Sequence, residues 1–224
     1  MNQGRRIITV DGVGASGKSA LARLLAERLG YAHLNSGLLY RAAAYLVMQS
    51  GVKVEDAAAV QALLHTHAVA LKYDRTTGNC VLIDGVARDS ELQSQEISRL
   101  ASQVAKLSCV REHFVPVQRQ AFDPMGVVAE GRDMGTVIFP DAPVKFFVDA
   151  NSKVRAERRR AQLLAKGEDV DVSTIERDLI RRDYEDAHRS LSPMRPADGA
   201  ILIENSRESI EEIVDRMYRT VVGL

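Results

Sequence analysis

The chain has 224 residues, with 30 basic and 30 acidic side chains and a formal net charge of zero. That length suits one sizeable α/β domain, or one domain with insertions. The balanced charge removes the support for a general affinity toward nucleic acid or anionic membrane surfaces. Two cysteines, Cys80 and Cys109, match no metal or redox spacing and read as buried thiols in a reducing compartment. His65 and His67 lie two apart without further ligands and read as surface or loop residues. The chain enters its first strand within a few residues, leaving no room for a signal peptide. Its longest stretch free of charged and histidine residues, 42–52, is too short to span a bilayer. The expectation is a cytoplasmic protein with no membrane or nucleic-acid partner, and a monomer.

The run Arg6 to Asp11 is short and β-branched and predicts a buried strand. It leads into Gly12-Val13-Gly14-Ala15-Ser16-Gly17-Lys18-Ser19-Ala20, which fits G-x-x-x-x-G-K-[ST], the phosphate-binding P-loop. A nucleoside triphosphate is a dense anion, and small residues let backbone N–H groups turn inward around it. Lys18 can reach the β and γ phosphates, and the Ser19 hydroxyl can ligate Mg²⁺. Leu21, Leu24, Leu25 and Leu29 then recur at helical spacing, and Gly30 closes that helix. Strand, loop and helix in this order is the context that separates a P-loop from an ordinary glycine-rich turn.

Tyr31 to Leu34 predicts a second strand, and Gly37 begins a helix with Leu38, Ala42, Tyr45 and Leu46 on one face. Ser36 is expected to cap it. Arg41, one turn in, either pairs with a phosphate or is a solvated helix charge. Residues 55–66 read as helical. Val69 to Asp74 and Cys80 to Ile83, joined by the turn-rich Thr76-Thr77-Gly78-Asn79, predict a β-hairpin inserted among helices. Glu91 to Leu107 and Val110 to Phe122 read as two helices. Gly126 to Ala129 predicts a buried strand that runs into Glu130-Gly131-Arg132-Asp133, which is either a site at the carboxyl end of a strand or a salt-bridged turn.

Val144 to Val148 predicts a further strand. Arg155, Arg158 and Arg159 share a helix face, where like charges repel unless an anion or solvent relieves them. Gly167 to Asp171 is polar and reads as a lid loop. Residues 173–190 predict a helix carrying Arg182, Asp186 and Arg189 at i, i+4, i+7, which is either a ligand site or a surface ion-pair ladder. Ala200 to Ile203 predicts the last strand. The last helix turns Ile210, Ile213, Val214, Met217 and Val221 inward.

With these residues placed, the chain from about Ile7 onward resembles the bacterial-type cytidylate kinases, a family of nucleoside monophosphate kinases. The resemblance rests on the P-loop, Asn35-Ser36-Gly37 with Tyr40-Arg41, Ser102-Gln103-Val104-Ala105 and Val110-Arg111-Glu112. It continues through Glu130 to Thr136, Phe139-Pro140-Asp141-Ala142, Arg155 with Arg158-Arg159, and Arg182-Asp183 with Asp186 and Arg189. It implies an α/β P-loop three-layer fold with a parallel five-stranded sheet, a small β-containing NMP-binding insertion and a short lid. The implied divisions of the single 1–224 domain are a core of about 1–35, 108–150 and 198–224, an NMP-binding region of about 36–107, and a lid region of about 151–190.

The implied activity is transfer of the ATP γ-phosphoryl to CMP or dCMP with Mg²⁺. Residues Gly12 to Ala20 would bind ATP, with Ser19 on the metal. Ser36, Arg41 and Arg132 would hold the CMP phosphate, near Tyr40. Ser102, Arg111 and Asp133 would read the cytosine edge. Arg182 and Asp186 would contact the sugar, and Arg189 the phosphate. Lys18, Arg132, Arg155, Arg158 and Arg159 would carry the catalytic charge. The chemistry agrees, because the acceptor phosphate has a second pKa of about 6 and needs no general base.

Three positions depart from the family pattern. Asn35 stands where an Asp is usual, Glu130 replaces an Asp with its charge kept, and Gln93 stands where an Arg is common. Other classes remain open on the residues alone. These are a kinase for UMP or a shikimate-like alcohol, a nucleotide-binding protein without catalysis, a nucleic-acid binder using Arg158-Arg159-Arg160, and a GTPase switch. For the last, Asp123-Pro124-Met125-Gly126 spells D-x-x-G, but no N-K-x-D follows.

Overall fold

A computed structural model describes residues 6–74, 78–120 and 125–223. Thr76 and Thr77 of the expected turn, the end of the helix expected to reach Phe122, and Asp123 and Pro124 of the Asp123–Gly126 tetrapeptide lie outside the described residues. In chain order the elements are β1 (Ile7–Gly12), α1 (Lys18–Leu29), β2 (Ala32–Asn35), α2 (Gly37–Ser50), α3 (Ala57–Thr66), β3 (Val69–Asp74), β4 (Gly78–Ile83) and β5 (Val86–Ala87). A 3₁₀ turn (Glu91–Gln93), α4 (Gln95–Val104), α5 (Ser108–Gln120), β6 (Val127–Gly131) and a π-helical turn (Met134–Ile138) follow. The chain ends with β7 (Val144–Asp149), α6 (Ser152–Leu164), α7 (Val172–His188), β8 (Ile201–Glu204) and α8 (Ile210–Val222).

These elements build a five-stranded parallel sheet of order β2-β6-β1-β7-β8 with flanking helices, and a three-stranded sheet of order β3-β4-β5. The chain divides into two compact units. One comprises the residues up to Tyr31 and from Met125 onward; the other comprises the stretch between.

In the first unit β1 is central, paired in parallel with β6 (Ile7 opposite Val127) and with β7 (Ile8 opposite Val144). Alternation along β1 decides its two faces. Ile8 and Val10 join Leu21 and Leu25 of α1, Phe146 and Val148 of β7, and Ile213 and Met217 of α8 in one apolar cluster. Thr9 and Asp11 point the other way, where Asp11 accepts the N–H groups of Met134 and Gly135, both at 2.8 Å. Ser209 caps α8 through a reciprocal capping box with Glu212. Leu163 of α6 and Ile175 and Leu179 of α7 form a smaller apolar cluster with Ala156.

The second unit has its own core, with Leu39, Ala43 and Leu46 of α2, Leu64 of α3, Ile97 of α4, and Phe114 of α5. The expected hairpin is present with six cross-strand pairs from Val69↔Ile83 to Asp74↔Gly78, and β5 adds a third strand. Three local expectations are corrected. The helix predicted from Glu91 to Leu107 is interrupted at Ser94, whose side chain accepts the Ile97 N–H and starts α4 afresh. Ser36 occupies the N-cap of α2 but makes no side-chain cap bond; Asn35 Oδ1 accepts the Gly37 N–H at 3.0 Å instead. The two thiols, expected to be buried, are only partly so. Among the described residues no helix is long and apolar enough to cross a membrane.

Candidate active site

The first unit carries the phosphate loop between β1 and α1. Gly12 has φ +152°, and a Cβ there would lie 2.1 Å from the Val148 carbonyl oxygen, so only glycine lets β1 turn out of the sheet beside β7. Gly17 has φ +87°, in the left-handed region, and stands at the N-cap of α1. No side chain caps that helix start and no acidic residue occupies its first turn. Its N–H groups and positive dipole end are therefore aimed as an anion site requires. Lys18 folds back over the loop and donates from Nζ to the Val13 carbonyl at 3.1 Å. Burial, then the neighbouring Arg132, lowers the Lys18 pKa from 10.5 to about 7. A polyphosphate at the loop would favour the ammonium again.

Beside the loop, at the carboxyl end of β6, Glu130 accepts the Ser19 hydroxyl at Oε2, 2.6 Å away. A hydroxyl and a carboxylate are hard oxygen donors. Mg²⁺ in phosphoryl-transfer sites takes one or two such protein groups and completes its shell with phosphates and water. The pair fits that demand. Among the described residues no three His, Cys, Asp or Glu side chains gather into a metal cage.

Arg132 and Asp133 follow immediately. Arg132 Nε donates to Asp186 Oδ2 on α7 at 3.1 Å. Arg189 Nη1 stands 3.7 Å from Asp186 Oδ1, and its Nη2 stands 4.0 Å from Asp133 Oδ1. Burial pushes the Asp186 carboxyl up, but Arg132, Arg182 and Arg189 together outweigh it and hold its pKa below the ordinary value. Arg182 acts electrostatically on both Lys18 and Asp186. The fold thus gathers Lys18, Ser19, Arg132, Asp133, Arg182, Asp186 and Arg189 into one charged cluster. For the last three this sets aside the plain surface-ladder alternative, since Asp186 is buried.

The three arginines of α6 expected to carry catalytic charge, Arg155, Arg158 and Arg159, do not share one environment. Arg155 is buried. Its Nε donates to the Ala150 carbonyl at 2.9 Å, and its Nη1 donates to the Gly14 carbonyl at 3.0 Å and to Asp183. Arg158 Nη1 approaches the Ser16 carbonyl at 3.4 Å. Arg159 turns away and donates to Gln162 at 3.3 Å.

The second unit holds the remaining expected residues. Arg41 Nη1 donates to the Leu92 carbonyl at 2.7 Å. Tyr40 packs edge-on against Phe114 at 5.8 Å, and the Arg111 guanidinium lies over the Tyr40 ring at 5.6 Å. Arg111 is buried and donates to the Ala105 carbonyl at 3.2 Å. Ser36 is buried, and Ser102 Oγ donates locally to the Ser98 carbonyl at 3.3 Å.

Sequence reasoning passed over three residues of the first unit. Asp11 sits beneath the site as a buried carboxyl. Asp183 accepts the Gly14 N–H at 3.0 Å, and Asn205 donates to the Ser16 carbonyl at 2.7 Å. Asp11, a charge at the end of an apolar strand, gave a signal in the sequence, and Asp183 stood in the Arg182-Asp183 motif without a role of its own.

A parallel sheet with a glycine-bound phosphate loop, a serine–carboxylate pair and converging guanidiniums defines a P-loop phosphotransferase. Over residues 8–222 the chain matches the family model described as cytidylate kinase. A cytidylate kinase from Thermotoga sp. (strain RQ2) is 40% identical over 214 residues, covering 96% of each chain. Another, from Pseudomonas aeruginosa (strain LESB58), is 39% identical over 220 residues, 98% of this chain and 96% of its own. The crystal structure of an uncharacterized protein from Eubacterium ventriosum ATCC 27560 has a TM-score of 0.51 at 14% identity, covering 98% of this chain and 99% of its own, which is a likeness of fold. The chain belongs to the cytidylate kinase family. It is an ATP-dependent kinase acting on CMP or dCMP.

Proposed function

We propose that the first unit holds ATP on the Gly12–Ala20 loop, meets the acceptor phosphate with Arg132 and Arg189 and reads cytosine with Asp133; Ser102 and Arg111 keep the cytosine-reading role that the family resemblance gives them. The observation that carries this reading is the cluster around Lys18. Cationic groups crowd there at a cost in repulsion that two phosphate groups would relieve. Phosphoryl transfer is chiefly alignment plus neutralisation of charge spread over the phosphate oxygens. Lys18 serves the β and γ phosphates. Mg²⁺, when bound through Ser19 and Glu130, supplies further neutralisation of the donor phosphates. Arg132 and Arg189 orient the acceptor, which arrives mostly as a dianion at neutral pH and needs no proton removed; Ser36 and Arg41 keep the phosphate-binding role that the family resemblance gives them. Arg182 and Asp186 take the sugar. Arg158, at the edge of the loop, is the arginine of α6 assigned to the transferring group.

Base choice follows from donor and acceptor pattern. The cytosine amino group donates to a carboxylate such as Asp133, while an arginine donates to ring N3 or O2. Uracil presents an acceptor where cytosine has its amino group, which would leave the Asp133 carboxylate facing another lone pair.

The test is ADP release with ATP and Mg²⁺ against CMP, dCMP, UMP, AMP and GMP. Turnover with CMP and dCMP is expected to exceed that with UMP by at least about tenfold, the worth of one unpaired buried polar group. Equal turnover with UMP would remove Asp133 from the base-reading role. Turnover with none of them, despite ATP binding, would overturn the proposed acceptor.

A further inference from the structure

Ala15 is the one residue of the phosphate loop that adopts a left-handed conformation without being glycine, with φ +56°. Such a backbone is disfavoured by the Cβ and persists only where the surroundings over-determine it. The residues on either side of Ala15, Gly14 and Ser16, are held at their backbones by side chains distant in sequence. Before it, the Gly14 N–H donates to Asp183 Oδ1 at 3.0 Å, and the Gly14 carbonyl accepts from Arg155 Nη1 at 3.0 Å. Asp183 and Arg155 also pair with each other, and their side chains are only 13% and 7% exposed. After it, the Ser16 carbonyl accepts from Asn205 Nδ2 at 2.7 Å. The Ala15 side chain packs against the apolar cluster of α6 and α7.

We infer that Asp183, Arg155 and Asn205 are positioning residues that clamp the backbone of Gly14 and Ser16, the residues flanking Ala15, and so hold the phosphate loop in its ATP-binding shape before ATP arrives. This rests on reading residues 12–20 as the ATP cradle.

Two physical points support it. A buried ion pair is a poor source of stability, since well-packed apolar residues usually do as well. What Asp183 and Arg155 do that an apolar pair could not is engage both backbone polar groups of one residue, Gly14. Asn205 is likewise kept at a cost. It is 1% exposed, and among the described residues its Oδ1 has no hydrogen-bond partner. An apolar residue would avoid that cost but would release the Ser16 carbonyl. Preorganisation matters at this place because a loop already shaped for phosphate spends none of its binding energy on ordering. Asn205 also closes the space beneath Gly17, where a Cβ would meet its Nδ2 at 2.5 Å.

The experiment measures the Kd of a non-hydrolysable ATP analogue by calorimetry, and separately the KM for ATP and for CMP. Asn205→Ala, which strands no charge, and Asp183→Ala are each expected to raise the analogue Kd about ten- to a hundredfold while the CMP KM stays within about twofold. Asp183→Asn keeps an oxygen for the Gly14 N–H and is expected to fall between wild type and Asp183→Ala. Should Asp183→Ala not fold, the Asn205→Ala result decides alone. An unchanged analogue Kd in Asn205→Ala, or ATP and CMP affinities falling together, would overturn the clamp. Analogue binding by the wild type without turnover of CMP would count against the proposed acceptor and leave the clamp measurable.

Discussion

Asn35 shows how one atom can alter a site without altering its shape. Its Oδ1 accepts the Gly37 N–H and so secures the start of α2. An aspartate would keep that bond and add a charge. Asn35→Asp is therefore expected to leave the fold unchanged and either raise kcat or tighten apparent Mg²⁺ binding, as read by a Mg²⁺ titration of the initial rate. Identical kinetics in both proteins would remove this position from the chemistry. Legibility at this scale was uneven. The loop residues were readable because phosphate binding restricts spacing and residue type together. Asp183 and Asn205 were not, because they lie 169 and 189 residues from the loop atoms that they hold. A lone Asp on a charged helix, or a lone Asn after a strand, carries no periodicity. The arginines of α6 were legible as a group, but only packing separates buried Arg155 from outward Arg159.

Helices were the most legible elements, because a period of 3.6 survives in the pattern whatever the partner. α1, α2 and α8 stand close to where their apolar residues predicted. The breaks were less visible. Ser94 splits one predicted helix because its side chain competes for the Ile97 N–H, a local choice that periodicity does not register. α8 offers a direct test of capping energy. Its Ser209 and Glu212 satisfy each other's backbone N–H groups, remote from the loop in sequence. Ser209→Ala is expected to cost about 1 kcal/mol, read as a lower urea midpoint, with KM values for both nucleotides unchanged. A midpoint within error of wild type would show that the apolar face of α8 fixes this helix without its cap.

At the scale of the molecule, the family resemblance implied a parallel five-stranded sheet but not its strand order, since nothing in the spacing says that β1 pairs with β6 rather than β2. Buried charge also acts here, on global stability. Burial, reinforced by Asp133, pushes the Asp11 carboxyl from 3.8 up to about 6, against two backbone hydrogen bonds and Lys18. The folded protein therefore holds that proton more tightly than the unfolded chain does. Its contribution is fully present below about pH 4 and is lost as pH rises through 6, a swing of about 3 kcal/mol. Urea unfolding between pH 4 and 6.5 is expected to show this fall superimposed on the other titrations. Asp11→Asn is expected to flatten it, and an unchanged slope would assign the effect elsewhere.

The pairing of β1 with strands 120 residues downstream, Ile7 opposite Val127, also bears on how the protein is made. At about 5–20 residues per second, the ribosome takes roughly 6–24 s to supply the first neighbour of β1 after β1 itself has been synthesised. The nucleotide loop is thus synthesised well before it can gain its sheet. Meanwhile the second unit, whose hairpin and helix contacts are nearer in sequence, can fold. A nascent chain halted before residue 127 would carry a complete phosphate-binding signature with no sheet to shape it.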